Sequence, residues 1–388
     1  MYVAHLELAD FRNYESATLA LHPGPNLIVG RNGQGKTNLV ESINYLATLG
    51  SHRVSSDQAL IRTGRDAAIV RARLEHAGRQ VLVELQINKQ GANKAQVNRA
   101  PSKPRDLPRN VHVVLFAPED LAIVRGEPSG RRRFLDQLLV QLTPRMAGVL
   151  GDYDRVLRQR NTLLKSARAA RVSASQLSTL DVWDERLVDL GSEIIEARGA
   201  LVSALRPFVA EAYATIAGDA HAAELASELS ILGARPDDET DVDDATVRSE
   251  IDAAEATAAF TASLARNRRA ELERGLTLAG PHRDDLLLRL NGLPARGYAS
   301  HGESWSFALA LRLASAALLR AESPAGDPVL ILDDVFAELD ATRRIRLAEA
   351  VHDYEQVLIT AAVEEDVPEP LAAHRVRIQA GRIVEEEA

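Results

Sequence analysis

The stretch Gly30-Arg31-Asn32-Gly33-Gln34-Gly35-Lys36-Thr37 sets glycine, four residues, then Gly-Lys-Thr in a row. Each residue type has a mechanical use if the ligand is a polyphosphate. Glycines let the backbone take positive φ and bring N–H groups against phosphate oxygens with no Cβ in the way. Lys36 would reach the β and γ phosphates, and the Thr37 hydroxyl would ligate Mg²⁺. A helix starting here adds its unpaired amides and the positive end of its dipole. The plain alternative is a surface glycine turn. Context argues against it: Asn26-Leu27-Ile28-Val29 reads as a short buried strand, and Leu39, Ile43 and Leu46 recur at helical spacing. Strand, glycine loop and helix together predict a P-loop nucleotide site.

A second piece of the same chemistry stands near the other end of the chain. Val329-Leu330-Ile331-Leu332 is an apolar run ending in Asp333-Asp334. An aspartate after such a strand is the Walker B arrangement, which holds Mg²⁺ opposite the P-loop hydroxyl. Asp333 would take that role, leaving Asp334 to orient or deprotonate the attacking water. An aspartate pair after a strand is also a common turn, so the assignment draws its strength from the P-loop. One nucleotide site must then be closed by the two ends of the chain, a layout foreign to a small GTPase.

The elements that must position these residues can be read in three blocks. Tyr2 to Leu8 alternates weakly; Ala68–Leu74 and Gln80–Ile87 flank His76-Ala77-Gly78, a hairpin signal; Val111–Phe116 is an apolar run ending at Pro118. From Leu121 to Leu276 helical periodicity dominates, with Thr143-Pro144 as cap and first helical residue. There Leu187, Leu190, Ile194, Ala197, Leu201, Ala204 and Phe208 follow steps of three and four, a heptad pattern. Pro207 favours a short helical hairpin over a long rod, and a compact bundle and a true coiled coil both remain open. The acidic stretch after Pro236 reads as an exposed loop. Strands return after Leu276: Leu286–Leu290 turning at Asn291-Gly292, then the Asp333 strand, Val357–Thr360 and Val376–Ile378, with a helix over Trp305–Leu319. The expected fold is α/β, a nucleotide-binding head split into 1–120 and 277–388 by an inserted helical arm, 121–276.

Bulk numbers bound the function. The chain has 388 residues, 46% apolar and 26% charged, as in an ordinary globular protein. It has no apolar run of the ~18–20 residues a membrane span needs, and MYVAHLELADFRNY lacks a signal-peptide pattern. A cytoplasmic protein with no membrane partner is expected. The absence of cysteine excludes disulfides and thiolate metal sites. A net charge of −9 argues against a nucleic-acid partner until its distribution is read. Arg53 to Arg109 holds twelve Lys/Arg against five Asp/Glu, whereas Asp237 to Glu255 holds nine acids and the single Arg248. A local basic surface attracts phosphates even on an acidic protein; scattered arginines on solvated strands are the alternative.

Further motifs resemble those of ABC-type ATPases. Ala299-Ser300-His301-Gly302-Glu303 ahead of a helix is similar to the signature motif, and Glu338-Leu339-Asp340 to the D-loop. Within that superfamily the chain resembles the RecF family, related to Rad50 and SMC heads. The resemblance rests on Asp10-Phe11-Arg12-Asn13-Tyr14, the P-loop, Phe116 to Leu121, GEPSGRRRFLD from Gly126, GPHRDDL from Gly280, and LDDVFAELD from Leu332. It covers nearly the full length.

The resemblance implies ATP and Mg²⁺ as cofactors, with all of Gly30 to Thr37 against the nucleotide and Arg12 and Asn13 approaching the phosphates. It implies an ATP-dependent homodimer in which Ser300 and Gly302 of one subunit meet the γ phosphate held by the other, with Asp340 at the same junction. It implies binding of duplex DNA and gap junctions at the nucleoid, and cooperation with RecR and RecO in loading RecA recombinase. Three departures from the wider superfamily stand out: Asp334 where glutamate is usual, Thr360 where a switch histidine is usual, and Glu303 in place of glutamine. The first two imply a slow, DNA-stimulated ATPase, since a shorter carboxylate and no imidazole assist the water. Arg131, Arg132 and Arg133 are candidates for DNA contact or for pairing with acids of the arm. A transporter ATPase shares the P-loop and signature but lacks so long a helical insert, and an SMC clamp needs far more coiled coil.

Overall fold

The computed structural model describes residues 1–170, 178–218, 221–233, 246–248, 250–323 and 326–387. The chain forms two compact units, Met1–Leu121 with Phe208–His221 and His301–Ala388, and Ala122–Pro207 with Ala222–Ser300.

In the first unit the chain runs through β1 (Tyr2–Phe11), β2 (Tyr14–Ala20), β3 (Gly24–Val29), α1 (Lys36–Thr48), β4 (Ala67–His76), β5 (Arg79–Asn88), β6 (Lys94–Val97), β7 (Ala100–Ser102) and β8 (Val113–Phe116). The second unit contributes α2 (Leu121–Arg125, whose first residue belongs to the first unit), α3 (Pro128–Leu142), α4 (Met146–Ala169), α5 (Ser178–Ala217), β9 (Ala223–Glu228), β10 (Val247–Arg248), α6 (Ala253–Arg274), β11 (Asp285–Leu290), β12 (Leu293–Pro294) and the kinked turn α7 (Ala295–Tyr298). The chain then returns to the first unit with α8 (His301–Glu322), β13 (Val329–Asp333), α9 (Ala341–Val351), β14 (Gln356–Ala361), β15 (His374–Gln379) and β16 (Arg382–Glu387).

Two six-stranded sheets build the first unit. One is antiparallel, in the order β2-β1-β4-β5-β6-β7; the other runs β16-β15-β3-β14-β13-β8, parallel from β15 to β8. α1 packs on β4 of the first and on β8, β13 and β14 of the second. It therefore has no solvent face along most of its length, and Leu39 to Ala47 are all buried, as expected of a helix enclosed on every side. Sequence spacing shows only one apolar stripe of it. Both sheets and α1 share one core, with Leu6, Phe11, Val70 and Leu85 facing Ile43, Leu46, Leu115 and Ile331 in the same cluster. The inner strands of the parallel sheet are buried on both faces, which is why β13, Val-Leu-Ile-Leu-Asp, reads as unbroken apolar sequence.

The second unit carries the helical arm expected within 121–276 and adds strands to it. It contains the sheet β10-β9-β11-β12, with Leu286 opposite Ser227 and Leu290 opposite Ala223. That pairing draws the strands after Leu276 into the second unit as far as Ser300. Residues 208–221, conversely, count with the first, where the Tyr213 ring lies edge-on to Phe307 at 5.8 Å and Arg346 donates to Ile216 O at 3.0 Å. Thr143-Pro144 is not a helix start: Thr143 ends α3, its N–H bonding Leu139 O at 2.7 Å, and α4 begins at Met146. Along α5 Val188, Gly191, Ile195, Val202 and Leu205 are buried beside the heptad members Leu187, Leu190, Ile194 and Leu201. The stripe is too wide for a two-helix seam, so the packing is that of a bundle. A Cβ on Gly191 would come within 2.5 Å of Phe260 on α6. Of the acidic stretch read as a loop, residues 237–245 lie outside the described residues.

Candidate nucleotide site

All of the P-loop and both Walker aspartates lie in the first unit. β3 delivers Gly30 beside β15, where a Cβ would sit 2.5 Å from Ile378 O. Gly33 and Gly35 take φ of +80° and +120°, a region in which side chains are strained. Gly35 also lies under Asn13 and Tyr14, each with an atom 2.8 Å from where its Cβ would be. Arg31 and Asn32 are exposed at the tip of the loop.

The loop is pinned from outside. Asn13 Nδ2 donates to Gln34 O at 3.1 Å and the Tyr14 hydroxyl to Gly35 O at 3.0 Å. The turn between β15 and β16 grips the same residue: Gly381 N–H donates to Gln34 O at 2.9 Å and Ala380 N–H to the Gln34 side chain. Gln34, expected against the nucleotide, has its side-chain oxygen engaged by this turn. Asn13 stands over the loop as expected. Arg12 forms a two-pronged pair with Glu41 of α1, at 2.9 and 2.7 Å, and donates to Ala59 O. Burial pushes the Glu41 carboxyl up, but hydrogen bonds from Arg12 and Ser51 outweigh it and leave the pKa below the ordinary value.

The two ends of the chain meet at Thr37 and Asp333. β13 and β14 pair in parallel with Asp333 opposite Thr360. Thr37 Oγ1 donates to Asp333 Oδ1 at 3.0 Å, and Thr360 Oγ1 donates to the same oxygen at 2.6 Å. Asp334 follows in the left-handed region, φ 51°, its N–H bonding Thr360 Oγ1 at 2.9 Å. That turn aims its carboxylate at the buried Lys36, whose Nζ lies 3.9 Å away. Burial raises the Asp333 pKa to about 6 against the hydrogen bonds of Thr360 and Thr37, and burial also raises that of Asp334 while Lys36 pulls it down. A buried carboxylate and hydroxyl converging on one point suit a small hard cation that keeps several waters. Among the described residues no cluster of three His, Asp or Glu offers a site made of protein alone, consistent with a cation completed by phosphate and water.

The signature and D-loop residues form a second cluster. Asp340 caps α9, accepting from Arg343 N–H at 2.9 Å, and ion-pairs with the Arg343 guanidinium. Arg343 Nε in turn donates to Ser306 Oγ at 3.0 Å, and Ser306 Oγ donates to Gly302 O at 3.0 Å. A Cβ on Gly302 would meet Arg343 at 3.0 Å. Ser300 closes the second unit, with Gly302 on the first turn of α8. Glu303 turns toward His221, 3.5 Å away.

Arg131 forms a buried two-pronged pair with Asp285 at 2.7 and 2.6 Å, Arg132 donates to Asp284 O, and Arg133 is exposed. His282 bonds the Tyr153 hydroxyl at 2.7 Å, and burial pushes its pKa down to about 3.

Comparison with known proteins gives the same answer. The family described as RecF/RecN/SMC N terminal domain matches residues 2–383. The DNA replication and repair protein RecF of Clavibacter michiganensis subsp. michiganensis is 65% identical over 99% of this chain and 96% of its own length. The RecF of Leifsonia xyli subsp. xyli is 63% identical over 99% and 100%. A solved structure of the recombination mediator protein RecF-ATP in the RecFOR pathway aligns with a TM-score of 0.85 and 26% identity, covering 100% of this chain and 99% of the other. An Smc head domain from Pyrococcus furiosus shares the fold alone, at a TM-score of 0.51 and 16% identity. With an ABC-type α/β head, an inserted arm and these relatives along its whole length, the chain belongs to the RecF family of DNA replication and repair proteins.

Proposed function

We propose that this chain is a slow, DNA-stimulated ATPase of recombinational repair, which grips duplex and gapped DNA as an ATP-bridged homodimer and helps load RecA with RecO and RecR. The observation that carries the reading is the meeting of Thr37 and Asp333 at 3.0 Å, residues 296 positions apart in sequence, beside a buried Lys36. The ATP complex of a similar RecF, named in the RecFOR pathway, supports ATP as ligand and RecO and RecR as partners. Gly30 to Thr37 line the phosphates with backbone N–H groups, and Lys36 neutralises the β and γ oxygens. Thr37 and Asp333 would hold Mg²⁺, which when bound neutralises charge on the phosphate oxygens.

Asp334 orients the attacking water and takes its proton as the bond from Pγ to the ADP oxygen breaks. The short reach of aspartate, and a threonine rather than an imidazole at 360, support slow turnover. In the dimer Ser300 and Gly302 of one subunit approach the γ phosphate held by the other, with Asp340 and Arg343 bracing Gly302 from behind. Loss of that phosphate loosens the pair, so nucleotide state sets how long DNA is held.

Light scattering with Mg²⁺ and a non-hydrolysable ATP analogue tests this. The parent chain should double in mass on adding nucleotide, and Lys36→Ala should neither bind nucleotide nor dimerise. A Lys36→Ala protein that still binds ATP at parental affinity would refute the site.

A further inference from the structure

His52 follows α1 and belongs to no motif read from the sequence. Its side chain is 12% exposed, and both ring nitrogens are buried without a hydrogen-bond partner. Buried polar atoms in native proteins are almost always bonded to protein or to ordered water. Both ring nitrogens of His52 are therefore left to water or to a bound ligand. Its Nε2 faces Asp333 Oδ2 at 3.9 Å. The two oxygens of Asp333 are thus divided, Oδ1 serving Thr37 and Thr360 and Oδ2 facing His52. The gap is too long for a direct hydrogen bond and is of the length a shared water closes. Glu119, Glu41 and Asp120 face the ring electrostatically from other elements and Arg53 from its own. A neutral imidazole has one donor and one acceptor, both suited to water.

We propose that His52 is a positioning residue of the cation site, whose Nε2 holds a water of the divalent cation's shell against Oδ2 of Asp333. This rests on Thr37 and Asp333 as the cation's ligands. The site thereby has an imidazole after all, drawn from the segment after α1 and directed at the cation rather than at the γ phosphate from position 360. Groups that orient a metal's bound ligands typically carry 10–100-fold in metal affinity.

Pulsed EPR of Mn²⁺ bound with a non-hydrolysable ATP analogue tests the proposal on the full chain. In the unmutated protein, [¹⁵N]histidine labelling should convert a weak ¹⁴N coupling at Mn²⁺ into a ¹⁵N one. That signal should vanish in His52→Phe while the ³¹P coupling of the phosphates persists. Mn²⁺ affinity should fall 10–100-fold in His52→Phe and recover in part in His52→Gln, whose amide reaches the place of Nε2. A spectrum unchanged by the label, with phosphorus coupling intact and His52→Phe at parental Mn²⁺ affinity, would overturn the role of His52 alone. Absence of any Mn²⁺ signal with nucleotide in the unmutated protein would take down the Thr37–Asp333 site as well.

Discussion

Asp333 and Asp334 are neighbours with different work, and the division comes from backbone geometry. Asp333 ends a buried strand and points into the site, whereas Asp334 turns into the left-handed region and swings toward Lys36. Removing the charge of Asp334 should therefore leave nucleotide binding intact and stop chemistry. For Asp334→Asn, ATP affinity by fluorescence titration should stay within a few-fold, while turnover falls on the order of 100-fold or more, the usual worth of a positioned general base. Equal turnover would remove Asp334 from the reaction. Lys36, Thr37, Asp333 and Asp334 were legible in the sequence because the chemistry demands fixed spacings. The burial of Glu41, the outside hold on Gln34 and the place of His52 were not. Glu41 looks like one polar position on an amphipathic helix until both sheets are seen to enclose it, the hold on Gln34 comes from a turn 346 residues away, and a lone histidine carries no spacing at all.

At the scale of elements, the run Gly280 to Asp285 is what holds the second unit together. Ser230 Oγ accepts from Gly280 N–H at 2.9 Å and lies 3.0 Å from Gly280 O, while Asp284 Oδ1 accepts from Ser230 N–H and Oγ at 2.8 and 2.7 Å. Arg198 ties Pro281 O to Asp136. Burial raises the Asp284 pKa to about 6 from a usual 3.8, against the Ser230 hydrogen bonds and the nearby Arg198 and Arg132. The folded protein thus holds this proton more tightly than the unfolded chain does. The stability it contributes is complete below about pH 4 and is lost as pH rises through about 6. Asparagine keeps the oxygen acceptor and carries no charge. Asp284→Asn should gain on the parent by roughly 2–3 kcal/mol between pH 4 and 7 and stay level above, at about 1.4 kcal/mol per pKa unit. Calorimetry across that window checks it; a difference independent of pH would mean Asp284 is ionised throughout. The hairpins were readable because Ala77-Gly78 and Asn291-Gly292 carry the positive φ that two-residue turns require. Thr143-Pro144 misled because a threonine before proline suits a helix start as well as the link between two helices. The β9–β11 pairing was invisible because the partners lie far apart in a stretch dominated by helical periodicity.

For the whole molecule, the DNA binding proposed above has to be reconciled with a net charge of −9. The charge on the antiparallel sheet offers one surface for it. From Lys89 to Arg105 the chain carries Lys89, Lys94, Arg99, Lys103 and Arg105 and no acid, and all five are exposed. They follow β6, β7 and the Asn98-Arg99 turn at the sheet's free edge. Lysine and proline on an edge strand have a plainer use, since both block edge-to-edge pairing, and Pro101 in β7 fits that use too. The two roles separate by salt. Each phosphate neutralised contributes a slope of about −0.9 in log affinity against log salt. If this edge contacts the backbone, Lys94→Glu, Arg99→Glu and Lys103→Glu combined should weaken duplex binding at least about tenfold at moderate salt, flatten the slope by roughly 2 to 3, and leave ATP binding unchanged. If the charges only guard the edge, the triple variant should keep the parental slope, because glutamate blocks pairing as well as lysine does. An unchanged slope in that variant would move the DNA surface off this sheet edge.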